Sequence, residues 1–323
     1  VRLLGGRSLF ELTWARARGL VGAARVIVVC GEQHAGWVRR QAPGLREDRL
    51  IREGAGRNTA ASVALAAHWI RSRVGDAPMV VLPADHWIEP ESAFHATIRR
   101  ALRVVGRSDA LATIGIRALG PDPGFGWIEP SGRGPAPGVR RVRRFIEKPA
   151  PAVARRLYRS GRFLWNSGMF VWRASAILAE LARWEPAVER LTGIWAGRGG
   201  RGGRVPAGLM RRMPSVPIDR AVLERSRKVL VAAAGFRWSD LGTWGALASV
   251  LETRPAAGRS GAQIAIEAAR CVGFNPGGLT AFVGVEDVVA VRADDVVLVC
   301  GRASAHHVRQ VVASLRGSSG RYV

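Results

Sequence analysis

Short apolar runs rich in β-branched residues alternate with helix-period segments along most of this chain, and that alternation limits the fold more than any other feature. Residues 25–30 (RVIVVC) and 79–82 (MVVL) read as buried strands, since a strand covered on both faces needs a continuous apolar run. Residues 59–73 between them carry a helical pattern, with Asn58 or Thr59 placed to cap it. Residues 92–104 predict a second helix and 111–116 the next strand. Further on, 218–225 reads as a short helix, 229–233 as a strand and 243–251 as a helix. The order predicts an α/β fold with a doubly wound, Rossmann-like parallel sheet.

Two stretches break the rhythm. Residues 120–149 are rich in Gly and Pro, so they predict an insertion with short strands that folds over one end of the sheet. The segment 197–203 (GRGGRGG) predicts a mobile surface loop, and its glycines lack the strand-before, helix-after setting of a phosphate loop. From about Pro255 short runs recur at close spacing (279–285, 288–291, 296–300), followed by a helix over 305–315. That change predicts a core over residues 1–255 and a small β appendage over 256–323. No long internal repeat is visible.

The formal charge of +24 raises the question of nucleic acid, because basic faces release counterions from phosphates. The basic residues are nearly all Arg, with Lys148 and Lys228 the lysines, and they are scattered along the chain. The densest runs, 140–144 and 198–204, lack interleaved stacking aromatics, so no nucleic-acid partner is expected. The same charge draws in nucleoside triphosphates and phosphorylated small molecules. No apolar run reaches the roughly 18 residues of a membrane span, so no membrane role is expected. No signal pattern precedes the core, which makes the cytoplasm the default location. Cys30, Cys271 and Cys300 have no CxxC spacing and read as small buried residues.

Five segments put polar groups where strands end, the place where α/β sheets bind ligands. In Pro83-Ala84-Asp85-His86, Asp85 can hold Mg²⁺ on triphosphate oxygens or merely cap a turn. Segment 54–59 (GAGRNT) opens a helix, where Arg57 and Asn58 can meet a phosphate or a base edge; an ordinary helix start is the plainer reading. In 124–129 (GFGWIE), Gly126 lets the backbone approach a ligand and Glu129 can accept two hydroxyl hydrogens. Lys148 in FIEKP is a compact ammonium in a chain that otherwise uses guanidinium, which suits a point contact with a phosphate. Asn166 in WNSGMF can donate and accept toward hydroxyls, and Asp240 in FRWSDLGTW can be a second metal carboxylate or a helix cap. There is no GxSxG, HExxH or Walker lysine, so nucleophilic and zinc chemistry find no support.

Together GGRSLFELTWAR, EGAGRNTAAS, PADH, GFGWIEP, FIEKP, WNSGMFVW, PSVPIDRAVLERS and FRWSDLGTWGAL resemble, in order, the mannose-1-phosphate guanylyltransferases among the sugar nucleotidyltransferases. The resemblance implies transfer of GMP from GTP to mannose 1-phosphate, giving GDP-mannose and pyrophosphate. It implies that Asp85 and Asp240 hold Mg²⁺ and that Lys148 grips the sugar phosphate. Glu129 and Asn166 would bind mannose hydroxyls, and Arg57, Asn58 and Thr59 would line the nucleotide pocket. It also implies that the β appendage is a short left-handed β-helix, and it leaves room for a homodimer. The longer relatives add a cupin-like isomerase domain that this sequence does not contain, so isomerase activity is not expected. The family opens with a strand and a glycine-rich loop that wraps the triphosphate, whereas Val1 follows that element. The expectation is therefore an N-terminal truncation that deprives two strands of a neighbour. Two other readings stay open: a different nucleotide and hexose 1-phosphate pair, or an impaired sugar-phosphate-binding regulatory subunit.

Overall fold

The computed structural model describes residues 6–200, 203–252, 261–275, 277–293 and 295–318. In chain order the elements begin α1 (Leu9–Val21), β1 (Val28–Gly31), α2 (Ala35–Gln41), β2 (Leu50–Glu53), α3 (Asn58–Arg73), β3 (Pro78–Val81) and β4 (Trp87–Glu89). They continue with α4 (Glu91–Val105), β5 (Leu111–Arg117), β6 (Trp127–Ala136), β7 (Val139–Ile146), α5 (Pro151–Arg159) and β8 (Leu164–Arg173). Next come α6 (Ala174–Trp184), α7 (Pro186–Gly197), β9 (Arg204–Val205), α8 (Ala207–Arg211), a π-helical turn (Asp219–Leu223), β10 (Val229–Ala233) and β11 (Arg237–Ser239). The chain closes with α9 (Trp244–Glu252), β12 (Ala262–Ile266), β13 (Val272–Phe274), β14 (Leu279–Val283), β15 (Val288–Ala293), β16 (Val296–Gly301) and α10 (Val308–Ser318). Two compact units result: a larger one of Thr13–Ala84 and Ile88–Trp238, and a smaller one of Val1–Leu12, Asp85–Trp87 and Ser239–Val323.

The larger unit is the α/β core. Its main sheet runs β3-β8-β5-β10-β7-β6, and a second sheet runs β1-β2-β9. Strand β10 shows why both faces are covered. Val229 and Val231 enter the core lined by α3, α6 and α7, while Leu230 and Ala232 enter the core lined by α4 and α5. Successive apolar residues thus feed opposite cores, which is the meaning of the continuous runs in the sequence. Helix α4 buries Phe94, Ile98, Ala101 and Val105, one stripe at helical spacing. Helix α3 buries small residues, Ala60, Ala61, Ala64 and Ala67, and so packs closely against α6 and α7.

Three expectations change. Pairing is parallel within β1-β2-β9 and between β5 and β10, but antiparallel at β8, β7 and β6, so the main sheet is mixed. Residues 120–149 do not fold over one end of the sheet. Strands β6 and β7 form a hairpin that extends it: Arg141 lies opposite Leu230 on β10, and Trp127 opposite Trp165 on β8. Trp127, Ile128 and Val139 are fully buried, and that apolar content outweighs the Gly and Pro at the hairpin's turns. At α3 neither Asn58 nor Thr59 caps the helix. Asn58 has φ 61 and its Oδ1 accepts from the adjacent Thr59 N–H at 3.0 Å, while Thr59 Oγ1 accepts from the distant Ile218 N–H at 2.8 Å.

Among the described residues β1 pairs only with β2, and β3 only with β8. The described part of the glycine-rich segment closes α7 and enters β9 next to β2 (Arg52 opposite Arg204). Residues 201 and 202 of that segment lie outside the described residues.

The smaller unit holds a β-helix-like stack. Ala262 pairs in parallel with Leu279, Ala269 with Glu286 and Val272 with Val289, each partner seventeen residues on. Corners recur at the same offset: Glu267 and Gly284 have positive φ, as do Arg270 and Asp287. A constant parallel offset is one coil laid on the next. The Arg270 guanidinium binds Glu286 at 2.7 Å and Asp287 at 2.8 Å, tying one coil to the other. Leu247, Val250 and Leu251 of α9 pack with Val272, Phe274, Val289 and Val291 as its core.

Candidate active site

The larger unit gathers acidic and amide groups around the start of β6. Gly126 sits where an added Cβ would stand 2.5 Å from Glu147 Oε2 and 3.1 Å from Asn166 Cβ, so a side chain there would displace the Glu147 carboxylate. The Asn166 N–H donates to the Gly126 carbonyl at 2.8 Å. Its side chain is fixed at both ends, accepting from Thr113 Oγ1 at 2.8 Å and donating from Nδ2 to Asp219 Oδ1 at 2.7 Å. The WNSGMF sequence makes this possible through a bulge in the β5–β8 pairing, between Thr113 and Gly115. Gly168 supplies the φ of 69 there, and Ser167 Oγ donates to the Ile114 carbonyl at 2.8 Å.

Glu147 stands at the centre of this cluster. Its N–H donates to Glu224 Oε1 at 2.8 Å, and its Oε2 is buried with no hydrogen-bond partner. Burial pushes its pKa up to about 7, the nearby Asp219 adds to that rise, and Lys148 opposes it. Asp219 is raised as well, mainly by desolvation, against the hydrogen bond from Asn166 and the charge of Lys148. Lys148 has φ 48 and holds its exposed Nζ 3.9 Å from Glu147 Oε1. The result is a buried acid with a free oxygen beside a solvent-facing ammonium, a pair suited to hydroxyls and a phosphate on one ligand.

Other predicted residues stand differently. The Glu129 carboxylate is engaged by arginines, with Arg144 Nη2 at 3.1 Å. Arg57 donates to the carbonyls of Met210 and Arg211 at 3.0 and 3.1 Å, and Ala60 N–H reaches Val216 O at 3.2 Å. Segment 57–60 is thereby stitched to the 210–218 stretch that leads into Asp219. Sequence reading passed over Glu147, Asp219 and Thr113. The signal for Glu147 was its position beside Lys148 in FIEKP; nothing local marked the other two.

Asp85 and Asp240 belong to the smaller unit. Asp85 is held above the usual carboxylate range by desolvation first and by the like charge of Asp240 second, although its side chain reaches solvent. Asp240 Oδ1 accepts from Gly242 N–H at 3.1 Å, which fixes the carboxylate. Two carboxylates that repel each other fit a divalent cation, which would relieve that repulsion, and Mg²⁺ commonly takes one or two carboxylates plus phosphate oxygens. No group of three or more His, Cys, Asp or Glu suited to a metal occurs among the described residues. No helix among them is long and apolar enough to cross a membrane.

Comparison with known proteins shows the family and the fold. The family described as Nucleotidyl transferase matches residues 1–255, and the MannoseP isomerase/GMP-like beta-helix domain matches residues 261–315. The Xanthan biosynthesis protein XanB of Xanthomonas campestris pv. campestris is 35% identical over 99% of this chain and 68% of its own length. A mannose-1-phosphate guanylyltransferase of Escherichia coli is 34% identical over 98% of this chain and 68% of its own length. The crystal structure named mannose-1-phosphate geranyltransferase, from Thermus thermophilus, superposes with a TM-score of 0.87 at 27% identity, covering 98% of this chain and 91% of that one.

Proposed function

Because this chain belongs to the nucleotidyl transferase family, we propose that it transfers GMP from GTP to mannose 1-phosphate, forming GDP-mannose and pyrophosphate. The observation that carries this reading is Glu147 Oε2, buried and unpartnered against Gly126 and flanked by the Lys148 ammonium. A relative named for mannose 1-phosphate supports the choice of sugar.

In the proposed reaction an oxygen of the sugar phosphate attacks the α-phosphorus of GTP in line. The bond to the bridging β-phosphate oxygen breaks, and pyrophosphate leaves with the electron pair. No covalent link to the protein forms, so alignment and charge neutralisation carry the rate. Lys148 holds the sugar phosphate. Glu147 takes the hydroxyl contact first assigned to Glu129, whose carboxylate already serves arginines. Asn166 keeps Asp219 oriented, and its second Nδ2 hydrogen is left for the sugar. Asn58 and the backbone of segment 57–59 line the nucleotide pocket, with Arg57 fixing that segment through its carbonyl contacts. Asp85 and Asp240 would hold Mg²⁺, which supplies positive charge to triphosphate oxygens. We take residues 1–255 as the transferase domain and 256–323 as the β domain, in a cytoplasmic enzyme.

The test is pyrophosphate release by the full chain given GTP, mannose 1-phosphate and Mg²⁺, with a control lacking the sugar. Sugar-dependent release supports the reading. A folded chain that shows none, or that prefers another nucleotide and hexose 1-phosphate pair, refutes it.

A further inference from the structure

The densest basic run of the sequence is not absorbed by the site around Glu147. Strand β7 carries Arg140, Arg141, Arg143 and Arg144. In its pairing with β6, Glu129 faces Arg144 and Pro130 faces Val142, so Arg143 is the extra residue of a β-bulge. A bulge turns neighbouring side chains toward one side. Arg143 and Arg144 accordingly both approach Glu129 Oε2, at 3.8 and 3.1 Å, while Arg162 comes from the turn before β8 to within 3.9 Å of Oε1. Glu129 is only 2% exposed, so a buried carboxylate gathers guanidinium groups that would otherwise spread into solvent.

Arg140, Arg143 and Arg162 then line a cavity of about 500 Å³, together with Glu129, Ser131 and Gly132. Four arginines (140, 143, 144 and 162) against one glutamate leave a formal surplus of three positive charges. Among the described residues none of these arginines has a second acidic partner. Arg144 is further held over the Phe163 ring, 5.4 Å from its centroid. Guanidinium forks match phosphate oxygens in pairs, and a cavity of this size lies within the ~300–1,000 Å³ of small-molecule sites. It is much larger than a bare phosphate needs.

We propose that this cavity is a second binding site, for a small organic phosphate of nucleotide size carrying at least two negative charges. It is separate from the Glu147 cluster. Glu129 lies three residues beyond Gly126, ~10 Å at the strand rise, and on the β6 face shared with Trp127. The proposal does not depend on which reaction the enzyme performs.

GDP binding to the full chain, measured calorimetrically at fixed salt, tests it, with pyrophosphate as a second probe to separate nucleotide from bare phosphate recognition. Arg143 and Arg162 side chains are each 64% exposed, so Arg143→Gln and Arg162→Gln should leave the fold intact. Wild type should bind GDP at a second site beyond the nucleotide pocket of segment 57–59, and that second site should weaken roughly tenfold or more in the Arg143→Gln/Arg162→Gln variant while the first is unchanged. Pyrophosphate should bind there more weakly than GDP. A single GDP site in the wild type, or two sites whose affinities are both unchanged in the double variant, overturns the proposal. An oligonucleotide that outcompetes GDP for these arginines overturns it in favour of nucleic acid.

Discussion

Glu147→Gln tests the electrostatics of the candidate site most directly. The carboxyl moves from an ordinary value of 4.5 to about 7 in the folded chain. A shift of roughly 2.5 units at about 1.36 kcal/mol each corresponds to about 3 kcal/mol. The folded state holds this proton more tightly than the unfolded chain does. Between pH ~4.5 and ~7 the native protein therefore keeps a proton that the unfolded chain has released, and stability falls as pH rises through that window. Above it the loss is complete and the contribution is flat. Glutamine has nearly the same shape and never ionises, so the variant should lack this loss. Urea unfolding followed by circular dichroism between pH 4.5 and 8 measures it. The free-energy difference, variant minus wild type, should rise by about 3 kcal/mol across the window, with unchanged m-values. Glu53 is also raised by burial, but it titrates in both proteins and cancels in the difference, whereas the charge of Asp219 acts on Glu147 and its relief belongs to the same effect. Parallel profiles would refute the claim that Glu147 is buried without compensation.

Asp240→Ala should abolish Mg²⁺-dependent pyrophosphate release while circular dichroism stays native; wild-type rates would remove Asp240 from the metal site. Lys148→Ala should raise KM for mannose 1-phosphate at least tenfold with a smaller effect on KM for GTP, and equal KM changes would refute its assignment. Gly126→Ala puts a methyl 2.5 Å from Glu147 Oε2 and should cost ~1–3 kcal/mol in urea unfolding; a neutral result would mean the Glu147 side chain moves aside freely. Gly168→Ala, at φ 69, should destabilise by ~1 kcal/mol or more and weaken sugar binding by loosening Asn166.

Local pattern carried much of the architecture. Residues 229–233 are predicted and observed as the same strand, and α3, α4 and β5 differ from expectation by a residue at each end or less. Such segments are legible because apolar spacing reports burial directly. The 120–149 hairpin misled because its Gly and Pro content describes its turns, whereas Trp127, Ile128 and Val139 decide where its strands go. The seventeen-residue coil escaped notice because its two turns share backbone geometry more than residue identity: Glu267 and Gly284 occupy one corner, Arg270 and Asp287 another. Motifs marked Asp85, Lys148, Asn166 and Asp240 as polar groups at strand ends, but did not say which side chains keep a free oxygen.

That division follows from the range of the forces involved. Hydrophobic periodicity, turn residues and motif spacing act over a few positions, so the sequence alone determined the α/β character of the core, the change to β structure toward the C-terminus and the position of the glycine at 126. Burial and charge depend on what arrives from elsewhere in the chain. Asp219 meets Asn166 across 53 residues, and Glu224 meets the Glu147 amide across 77. Glu129 and Glu147 look equivalent in the sequence, each a carboxylate near a strand end. Only the tertiary structure gave one to a ring of arginines and left the other buried with a free oxygen, because desolvation and pairing are properties of a site and not of a residue.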